Sequence, residues 1–511
     1  MTRATQPDLG ASAADPAEKA VGDTVVVSGV SNSETEELAV VVQDWTEAEE
    51  RKAKAKIDFI LLPVLGLAFF ALQMDRGNIS SALTSTITED LGITTDEINI
   101  GTQLLSAGIV LLELPSNVAL QKIGPQIWLS GQIIAWGLVA TFQSFVSNYG
   151  GYLATRLLLG LLEAGFIPGG LYYLSTWYKK NETSFRITLF FLGQMFAAAT
   201  STLISAGLLR FTGRAGLAGW RWIFLVEGLI TIFAGIVFIL FLPPAVGNGK
   251  PLISARRWSY FTERESHIIR NRVLLDDPRK AKGHIKISGS DILDTVRQPR
   301  LWIHVFITLS NICTVQGLLT YTPSMIKSFG FGAIRANALA SVGTYCAIVF
   351  MLILSYLWWT VTETCYGHRG PFVFLSATWC LISYACLRAV PAVSSKWHKF
   401  GVITVANVSY ATVHILNIGW LSVYCKTPQE RSVSMALIVM AANAAGIPGS
   451  QIFRTGDAPR YLRGLTAITA VAAFCWVMTV VQNVQYYIRR KREREVLRSG
   501  GGIKGAEKEG A

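Results

Sequence analysis

An arginine and a glutamate inside an apolar stretch are the residues of this chain best placed to do chemistry. Arg156, Gly160 and Glu163 lie at i, i+4 and i+7 in the apolar run from Tyr152 to Trp177, so a helix places them on one face. A charge within hydrocarbon is costly and usually faces the protein interior or a water-filled path. A glycine lets another helix approach closely. The pattern predicts ionisable groups that carry a proton or meet a charged solute, and a structural Arg–Glu tie between helices is the alternative.

The composition indicates a chain that lies mostly within a membrane. Hydrophobic residues make up 51% of the 511 residues, charged residues only 16%, and the mean hydropathy is +0.38. Soluble domains carry roughly 25% charged residues. The formal net charge of +12 is concentrated in loops and ends, where it indicates topology rather than nucleic-acid binding. The 7 cysteines form no Cys-x-x-Cys pair, so neither a metal site nor a disulfide framework is expected.

Twelve apolar segments are of a length that can cross a bilayer, which takes about 20 helical residues. They cover 57–74, 98–120, 127–147, 151–177, 187–209, 222–243, 301–325, 334–360, 371–390, 400–424, 433–453 and 464–487. Six spans, a basic loop and six more spans predict an all-α polytopic membrane protein with 12 transmembrane helices in two six-helix halves. This organisation is typical of secondary transporters.

The same pattern divides the chain into five parts. We predict a disordered cytoplasmic tail at 1–50, a first six-helix half at 51–243, a central cytoplasmic loop at 244–300, a second half at 301–488 and a basic cytoplasmic tail at 489–511. The first part is polar and acidic and has too few apolar residues to bury a core.

Basic residues are expected to mark the cytoplasmic side of the membrane. The central loop and the C-terminal flank from Arg489 are rich in Lys and Arg, whereas Glu89 and Asp90 make the loop after the first span acidic. Arg210 and Arg214 do not follow this rule. Both termini are predicted to be cytoplasmic. No retention signal stands out, so the plasma membrane is the expected location, with an internal membrane left open.

Five motifs in a fixed order suggest a family. They are Asp75-Arg76-Gly77-Asn78-Ile79, Glu113-Leu114-Pro115-Ser116-Asn117, the Arg156 to Gly169 stretch, Gly219-Trp220-Arg221-Trp222-Ile223-Phe224, and Asp457-Ala458-Pro459-Arg460-Tyr461. The chain resembles the major facilitator superfamily over about 57–488, and within it the fungal allantoate-permease-like branch of the anion:cation symporter family. The resemblance implies the major facilitator fold and transport of small organic anions with protons, such as allantoate, nicotinate, pantothenate or a sulfonate.

The motif residues divide into two expected roles. Asp75 and Arg76 follow an apolar run directly, so we expect them at the membrane edge, where they form a gating latch. Asn78, Arg221 and Arg460 are assigned to gating or structure, and the two arginines precede the last span of each half. For proton coupling we expect Glu163, Arg156 and Glu113, because a glutamate deep in a span needs a partner or a proton.

Polar residues in the predicted spans give candidates for the substrate site. In the resembled fold, spans 1, 4, 7 and 10 line the cavity. The predicted substrate-binding residues are Asn407, Tyr410, His414 and Asn417 in span 10, Asn311, Gln316 and Tyr321 in span 7, and Gln194 in span 5. The span 10 set falls at i, i+3, i+7 and i+10 and so forms one stripe. A mid-membrane histidine can carry a proton, with a satisfied core histidine as the alternative.

Three functions remain open from the sequence. The first is proton-coupled import of a small anion by a monomer in the bilayer. The second is export or intracellular transport of a secondary metabolite, since a fold fixes neither direction nor cargo. The third is a non-transporting sensor, which the short C-terminal tail disfavours. An enzyme, a cofactor and a nucleic-acid partner are not expected, because no nucleotide loop, nucleophile arrangement or metal-ligand spacing is present.

Overall fold

Long helices make up nearly all of the described chain. The structure is a computed structural model, which describes residues 24–27, 39–250, 259–276, 288–361, 369–410, 412–425 and 427–498. Two strands, β1 (Thr24–Val27) and β2 (Ala39–Val42), pair antiparallel. Both strands are runs of valine, a β-branched residue that favours extended backbone.

The first half contains eight helices. They are α1 (Glu47–Ala82), α2 (Ile87–Leu91), α3 (Thr95–Ile123), α4 (Pro125–Phe142), α5 (Tyr149–Glu163), α6 (Phe166–Trp177), α7 (Lys180–Leu208) and α8 (Gly219–Phe241). The central loop contributes α9 (Glu263–Asp276) and α10 (Gly289–Val296). The second half contains α11 (Pro299–Ser328), α12 (Ala333–Val361), α13 (Gly370–Ala389), α14 (Lys396–Ser409), α15 (Val413–Tyr424), α16 (Pro428–Ala444), α17 (Gly446–Gly449) and α18 (Leu462–Arg498).

These helices confirm the predicted fold class. In the part of the chain that the structure describes, 11 helical segments are long and apolar enough to cross a membrane. The 18-residue helix α4 lies at the position of the remaining predicted span. The chain is therefore an all-α polytopic membrane protein with two six-helix halves.

The fourth and the tenth spans are each built from two helices. Glu163 ends α5, and α6 starts after Gly165, whose φ of +83° is a left-handed conformation that suits glycine. In the second half, α14 ends at Ser409 and α15 begins at Val413. The two breaks occupy corresponding positions in the two halves. In transporters, broken helices at such positions flank the binding site.

Each half packs around its own core. In the first half the rings of Phe69 and Phe190 stack with centroids 4.2 Å apart. The core of the second half includes the fully buried Tyr384 and Trp420. Large apolar side chains on the outside, such as Phe59, which is 82% exposed, face the position of the lipid.

Helices α3 and α5 cross with their backbones in contact at Gly160. A Cβ atom added there would lie 2.1 Å from the carbonyl oxygen of Leu105. On the other side of the crossing, a Cβ added at Gly108 would lie 3.0 Å from the backbone nitrogen of Leu161. The predicted close approach at Gly160 is therefore present.

We expect Gly160→Ala to destabilise the protein, because the new methyl group must push α3 away from α5. Overpacking of this kind costs about 1–3 kcal/mol. The measurement is the thermal unfolding of purified protein in detergent. Gly207→Ala is the matched control, since a Cβ added at Gly207 meets nothing within 4 Å. Equal melting temperatures for the two variants would contradict the contact.

The two helices of the central loop belong to different halves. Helix α9 packs against α1 and α6, whereas α10 packs against α11 and α16. The docking of α9 involves Arg272, which is fully buried and donates to the Glu182 carboxylate at 3.1 and 3.3 Å and to the carbonyl of Trp177 at 3.2 Å. We call the end of the bundle that carries α9 and α10 the terminal end, because α1 also begins there.

The segment before α1 is held against α9. Arg264 donates to the carboxylate of Asp44 at 2.8 Å and to its carbonyl at 2.7 Å, and His267 lies 3.3 Å from the same carboxylate. Trp45 is buried and donates from Nε1 to Glu50. We call these contacts the N-terminal clasp. They differ from the disordered tail predicted for 1–50, and residues 1–23 and 28–38 of that tail lie outside the described residues.

The clasp is expected to loosen in acid. The hydrogen bond from Arg264 lowers the pKa of the Asp44 carboxyl from its ordinary 3.8. The backbone N–H of Thr46, and then Arg264, lower the pKa of Glu49 from its ordinary 4.5. Groups with lowered pKa values stabilise the folded contact above their ordinary values, and that contribution is lost as the pH falls through the lowered values.

Hydrogen exchange of residues 39–50, followed by mass spectrometry, measures the clasp. We expect constant protection from pH 7 to pH 5 after correction for intrinsic exchange, and a loss of protection only below the ordinary pKa values of 3.8 and 4.5. Arg264→Ala should expose the segment at every pH. Arg270→Ala, which removes another exposed arginine of α9, should leave it protected. Equal exchange in the two variants would rule out the clasp.

Candidate functional site

An ion pair between α1 and the break of the fourth span forms the centre of the site. Arg76 Nε lies 2.6 Å from Glu163 Oε2. The Glu163 side chain is fully buried, whereas the Arg76 side chain is 20% exposed. Glu163 lies near the middle of the fourth span, Tyr149–Trp177. The pair therefore combines a sealed acid with a cation that remains accessible.

The predicted position of Asp75 and Arg76 at the membrane edge is wrong. Helix α1 continues to Ala82, and Asp75 is fully buried against Thr231, near the middle of α8. The apolar run stops at residue 74, but the helix does not, and Arg76 and Asp75 Oδ2 find polar partners on α5 and α8. A hydropathy profile shows where the apolar residues end, but it does not show which residues of other helices pair with the polar residues that follow.

Two more buried acids, Asp75 and Glu227, contact hydroxyl groups in the first half. Thr231 Oγ1 lies 2.7 Å from Asp75 Oδ2, and Ser205 Oγ donates to Glu227 Oε1 at 2.9 Å. Asp75 and Glu227 are both fully buried. Glu227 was not among the predicted site residues, although its position as an acid within the apolar run of span 6 could have identified it.

Arg156 is buried beside two aromatic rings. Its guanidinium lies 5.5 Å from the ring centre of Tyr152 and 5.6 Å from that of Phe224. Its Nε and Nη2 have no hydrogen-bond partner among the described residues. Glu163 pairs with Arg76, so an Arg–Glu tie between helices is present, but it joins α1 to α5 and does not involve Arg156. The charge of Arg156 still attracts Asp75 and Glu163.

A polar stripe on α3 joins the two halves, and we call it the α3 seam. From the end of α3 opposite the terminal end, its contacts are Asp96 with Thr455, Asn99 with the carbonyl of Phe453, Gln103 with the carbonyl of Ile447, and Glu113 with Asn443. The residues are spaced to share one helix face. Their partners run in the reverse order, as an antiparallel pair of segments requires.

Glu113 forms the innermost contact of this seam. Asn443 Nδ2 donates to both carboxylate oxygens, at 3.2 and 3.1 Å. Glu113 is 5% exposed, and the charge of Arg76 attracts it. The predicted need of Glu113 for a partner is thus met from the other half of the protein. Asn117 donates to the carbonyl of Glu113 within α3.

Further contacts between the halves lie toward the same end as the outer part of the seam. Lys327 Nζ donates to the carbonyl of Thr84 at 2.7 Å, and Asn337 Nδ2 donates to the Thr84 hydroxyl at 2.7 Å. Thr200 and Tyr345 hydroxyls lie 2.9 Å apart. Among the described residues, the hydrogen bonds between the halves lie at this end or at mid-depth. The halves are therefore closed opposite the terminal end.

Two residues of the predicted stripe in span 10, Asn407 and Asn417, both contact α11. Asn407 exchanges hydrogen bonds with Thr322. Asn417 donates to the carbonyl of His304 and pairs with its Nδ1 at 2.6 Å. Both asparagines thus join helices within the second half, although the sequence predicted that they contact the substrate.

The remaining span 10 residues differ from each other. Tyr410 is buried in the hydrophobic core of the second half. His414 is partly exposed, and its Nδ1 has no hydrogen-bond partner among the described residues. The Nδ1 atom itself is buried, so His414 combines a partly exposed side chain with a buried polar atom that no described residue contacts.

The other predicted substrate residues occupy separate places. Asn311 is buried and lines a small cavity inside the second half together with Cys380. The Tyr321 hydroxyl donates to Asn99 of the α3 seam. Gln316 is partly exposed and contacts Gly449 at the seam. These three residues of α11 therefore do not form one site.

Gln194 and the residues assigned to gating or structure lie in different surroundings. Gln194 is partly exposed on α7. Arg221 donates to the carbonyl of Ser144 at 2.6 Å, whereas Arg460 is exposed before α18, so the two arginines have different surroundings. Asn78 is buried within α1.

The geometry defines a class of protein: a polytopic helical membrane protein whose two six-helix halves meet along a polar seam beside a buried charge cluster. Its family is shown by a family model described as Major Facilitator Superfamily, which matches residues 65–450. The chain belongs to the Major Facilitator Superfamily.

The chain is also similar to individual proteins of this kind. It is 28% identical to an uncharacterized transporter of Saccharomyces cerevisiae over 88% of this chain and 82% of that protein. It is 26% identical to the major facilitator-type transporter hxnP of Emericella nidulans, over 88% of each chain. The fold is similar to that of the xylose transporter XylE from E. coli, with a TM-score of 0.62, 12% identity, and coverage of 82% of this chain and 97% of that chain.

Proposed function

We propose that the protein is a secondary transporter that imports a small organic anion together with a proton by alternating access. The observation that carries this proposal is the Arg76–Glu163 pair, in which the cation is accessible and its acid is sealed. The named relatives are transporters, and the sequence motifs favour the anion:cation symporter family. The charge distribution favours cytoplasmic termini, with the closed end outside, and the lack of a retention signal favours the plasma membrane.

In this proposal the substrate binds Arg76 and the proton binds Glu163, its partner in the ion pair. While Glu163 is ionised, it holds Arg76 with a charge-assisted hydrogen bond of 2.6 Å. A proton on Glu163 cancels that attraction and leaves the guanidinium without its counter-charge. Arginine binds carboxylates and sulfonates well, because its planar fork can donate two parallel hydrogen bonds. Protonation of Glu163 thus prepares Arg76 to bind an anion.

The co-transported proton also offsets the electrical cost of import. Moving one uncompensated charge against a membrane potential costs about 2.3 kcal/mol per 100 mV. A monoanion that enters a cell with a negative interior faces this cost, and a proton carried with it removes the cost. Once the anion is bound, the proton on Glu163 and the anion together leave the net charge of the buried cluster unchanged.

The α3 seam supplies the conformational change. Its contacts close the end opposite the terminal end, which in the proposed orientation is an inward-facing state. Glu113 and Asn443 form the innermost contact of the seam. The positive charge of Arg76 attracts the Glu113 carboxylate. An anion on Arg76 therefore acts on the contact that joins the two halves. Gln316 and His414 remain candidates for the other end of the substrate.

Reconstituted protein in liposomes tests this proposal directly. Allantoate, nicotinate, pantothenate and a sulfonate are offered at equal pH on both sides, and then with an acidic exterior. We expect one class of anion to enter faster with the acidic exterior, and its addition at equal pH to move protons inward. A neutral sugar serves as the control solute. Anion entry that ignores the pH gradient overturns proton coupling, and outward transport alone overturns import.

A further inference from the structure

We propose that α10 is an interfacial helix, whose apolar side, formed by Ile292 and Leu293, lies at the boundary between the headgroups and the acyl chains of the surrounding membrane. This surface is at the terminal end, away from the Arg76–Glu163 pair and the α3 seam. The proposal concerns contact with lipid and does not depend on the transport function proposed above.

The sequence of α10 is amphipathic. A helix turns once in about 3.6 residues, so Ile292, Leu293 and Val296 fall on one side of α10, whereas Asp291 and Asp294 fall on the opposite side. A short helix with one apolar side and one charged side is suited to the plane in which water meets hydrocarbon.

The apolar side of α10 is open, although the helix is packed against the protein. Helix α10 contacts α11 and α16, and the side chain that it buries is Thr295. Ile292 is 47% exposed and Leu293 is 49% exposed, and Asp294 is exposed as well. Helix α10 thus presents three surfaces: one against the protein, one apolar and open, and one charged and open.

The apolar side of α10 continues into the lipid-facing surface of α11. Trp302 and Phe306 lie about one turn apart on α11, and both are exposed. The Phe306 ring packs edge to face with that of the exposed Phe474 on α18, with ring centroids 6.5 Å apart. Because α11 and α18 are long and apolar enough to cross the membrane, these exposed rings face lipid. Trp302 Nε1 donates to the carbonyl of Val296 at 2.8 Å, which joins this surface to α10.

The short connection between the two helices sets α10 at the level of the membrane boundary. Helix α10 ends at Val296 and α11 begins at Pro299, so only Arg297 and Gln298 separate them. Trp302 lies in the first turn of α11, and tryptophan is enriched where a membrane meets water. Arg297 is exposed at the connection, where a guanidinium can donate to lipid phosphate groups.

Lipid is the occupant that these observations favour over a second protein. A stable protein–protein interface buries about 800 Å² on each partner. Ile292 and Leu293 are the large exposed apolar side chains of α10, and two half-exposed side chains supply far less area than this. A bilayer needs no matching shape, and it already covers Trp302 and Phe306 next to α10.

Electron paramagnetic resonance of the full-length protein in phosphatidylcholine liposomes tests the position of α10. A nitroxide is attached to Leu293→Cys or to Asp294→Cys, after the other reactive cysteines are replaced. Oxygen concentrates in hydrocarbon and a nickel chelate in water, so the ratio of their collision rates with the nitroxide measures depth. We expect a higher oxygen-to-chelate ratio at Leu293 than at Asp294. A label on Phe306→Cys is the reference for a lipid-facing position, and the ratio at Leu293 should lie close to it.

Two outcomes would overturn the proposal. Low ratios at both Leu293 and Asp294 would mean that the apolar side of α10 faces water. A label at Leu293 that neither reagent reaches would mean that protein, either a second copy or another part of this chain, covers that side. Hydrogen exchange of residues 289–296 confirms that α10 remains helical in each labelled variant, so a low ratio cannot result from local unfolding.

Discussion

Replacing Arg76 by glutamine is expected to lower anion uptake by about 100-fold or more, because it removes the accessible cation and leaves Glu163 buried without its counter-charge. A hydrogen bond to a charged group contributes about 1.5–3 kcal/mol, the Arg76 fork would donate two of them to the anion, and about 1.4 kcal/mol corresponds to a tenfold change. Initial uptake rates in liposomes, at substrate concentrations above and below KM, measure the loss.

Two further variants separate the binding role of Arg76 from its role in folding. Arg76→Gln combined with Glu163→Gln removes both charges of the pair, so we expect it to recover thermal stability but not uptake. Arg76→Lys keeps the charge but loses the fork that binds carboxylates at two points, so it should raise KM. Recovery of uptake in the double variant would show that Arg76 does not bind the anion.

Asn99→Ala is expected to favour the conformation that is open at the end opposite the terminal end. The equilibrium constant between the two conformations should change by about 10-fold to 100-fold. Asn99 accepts a hydrogen bond from Tyr321 and donates one to the carbonyl of Phe453, both in the other half. Each neutral hydrogen bond contributes about 0.5–1.5 kcal/mol. Asn99→Ala removes both bonds and leaves buried groups of the partner half unpaired.

This equilibrium is measured with a cysteine introduced at Gln103, within the α3 seam, after the exposed native cysteines are replaced. The measured quantity is the rate at which the introduced cysteine reacts with a charged thiol reagent. Tyr321→Phe removes one of the two bonds and should give about half of the free-energy change. Thr102→Ala is the control, since Thr102 donates within α3 to Ile98. If Tyr321→Phe changes which anion is transported and leaves the labelling rate unaltered, Tyr321 is a substrate residue and the gate assignment is wrong.

The fold was predictable because its determinants are local. Apolar length and loop charge identify the spans, and the predicted limits 98–120 and 371–390 lie close to α3 and α13. The buried position of Arg156 and Glu163 was also predictable, since a charge in an apolar run must face the interior. Their partners were not predictable, because Arg76 is distant in sequence and its distance from Glu163 depends on how α1 packs against α5.

The substrate residues of span 10 show a second limit. Asn407 and Asn417 were predicted to contact the substrate, and the sequence Ser409 to Val413 contains neither Gly nor Pro to indicate the break in the helix. Both asparagines also have partners on α11. A polar residue that joins two helices and a polar residue that contacts a substrate can be of the same type and have the same spacing in the sequence. Only the positions of neighbouring helices distinguish them.

Because α9 is bound to the first half and α10 to the second, the covalent connection between the halves crosses only the interval 277–288. A chain cut in this interval leaves each fragment with its own docking helix and its own hydrophobic core. The two fragments, produced as separate polypeptides in one cell, contain every contact of the α3 seam needed to recognise each other. Complementation between fragments would allow each half to be labelled or isotopically enriched by itself, so that its movement could be followed against an unlabelled partner.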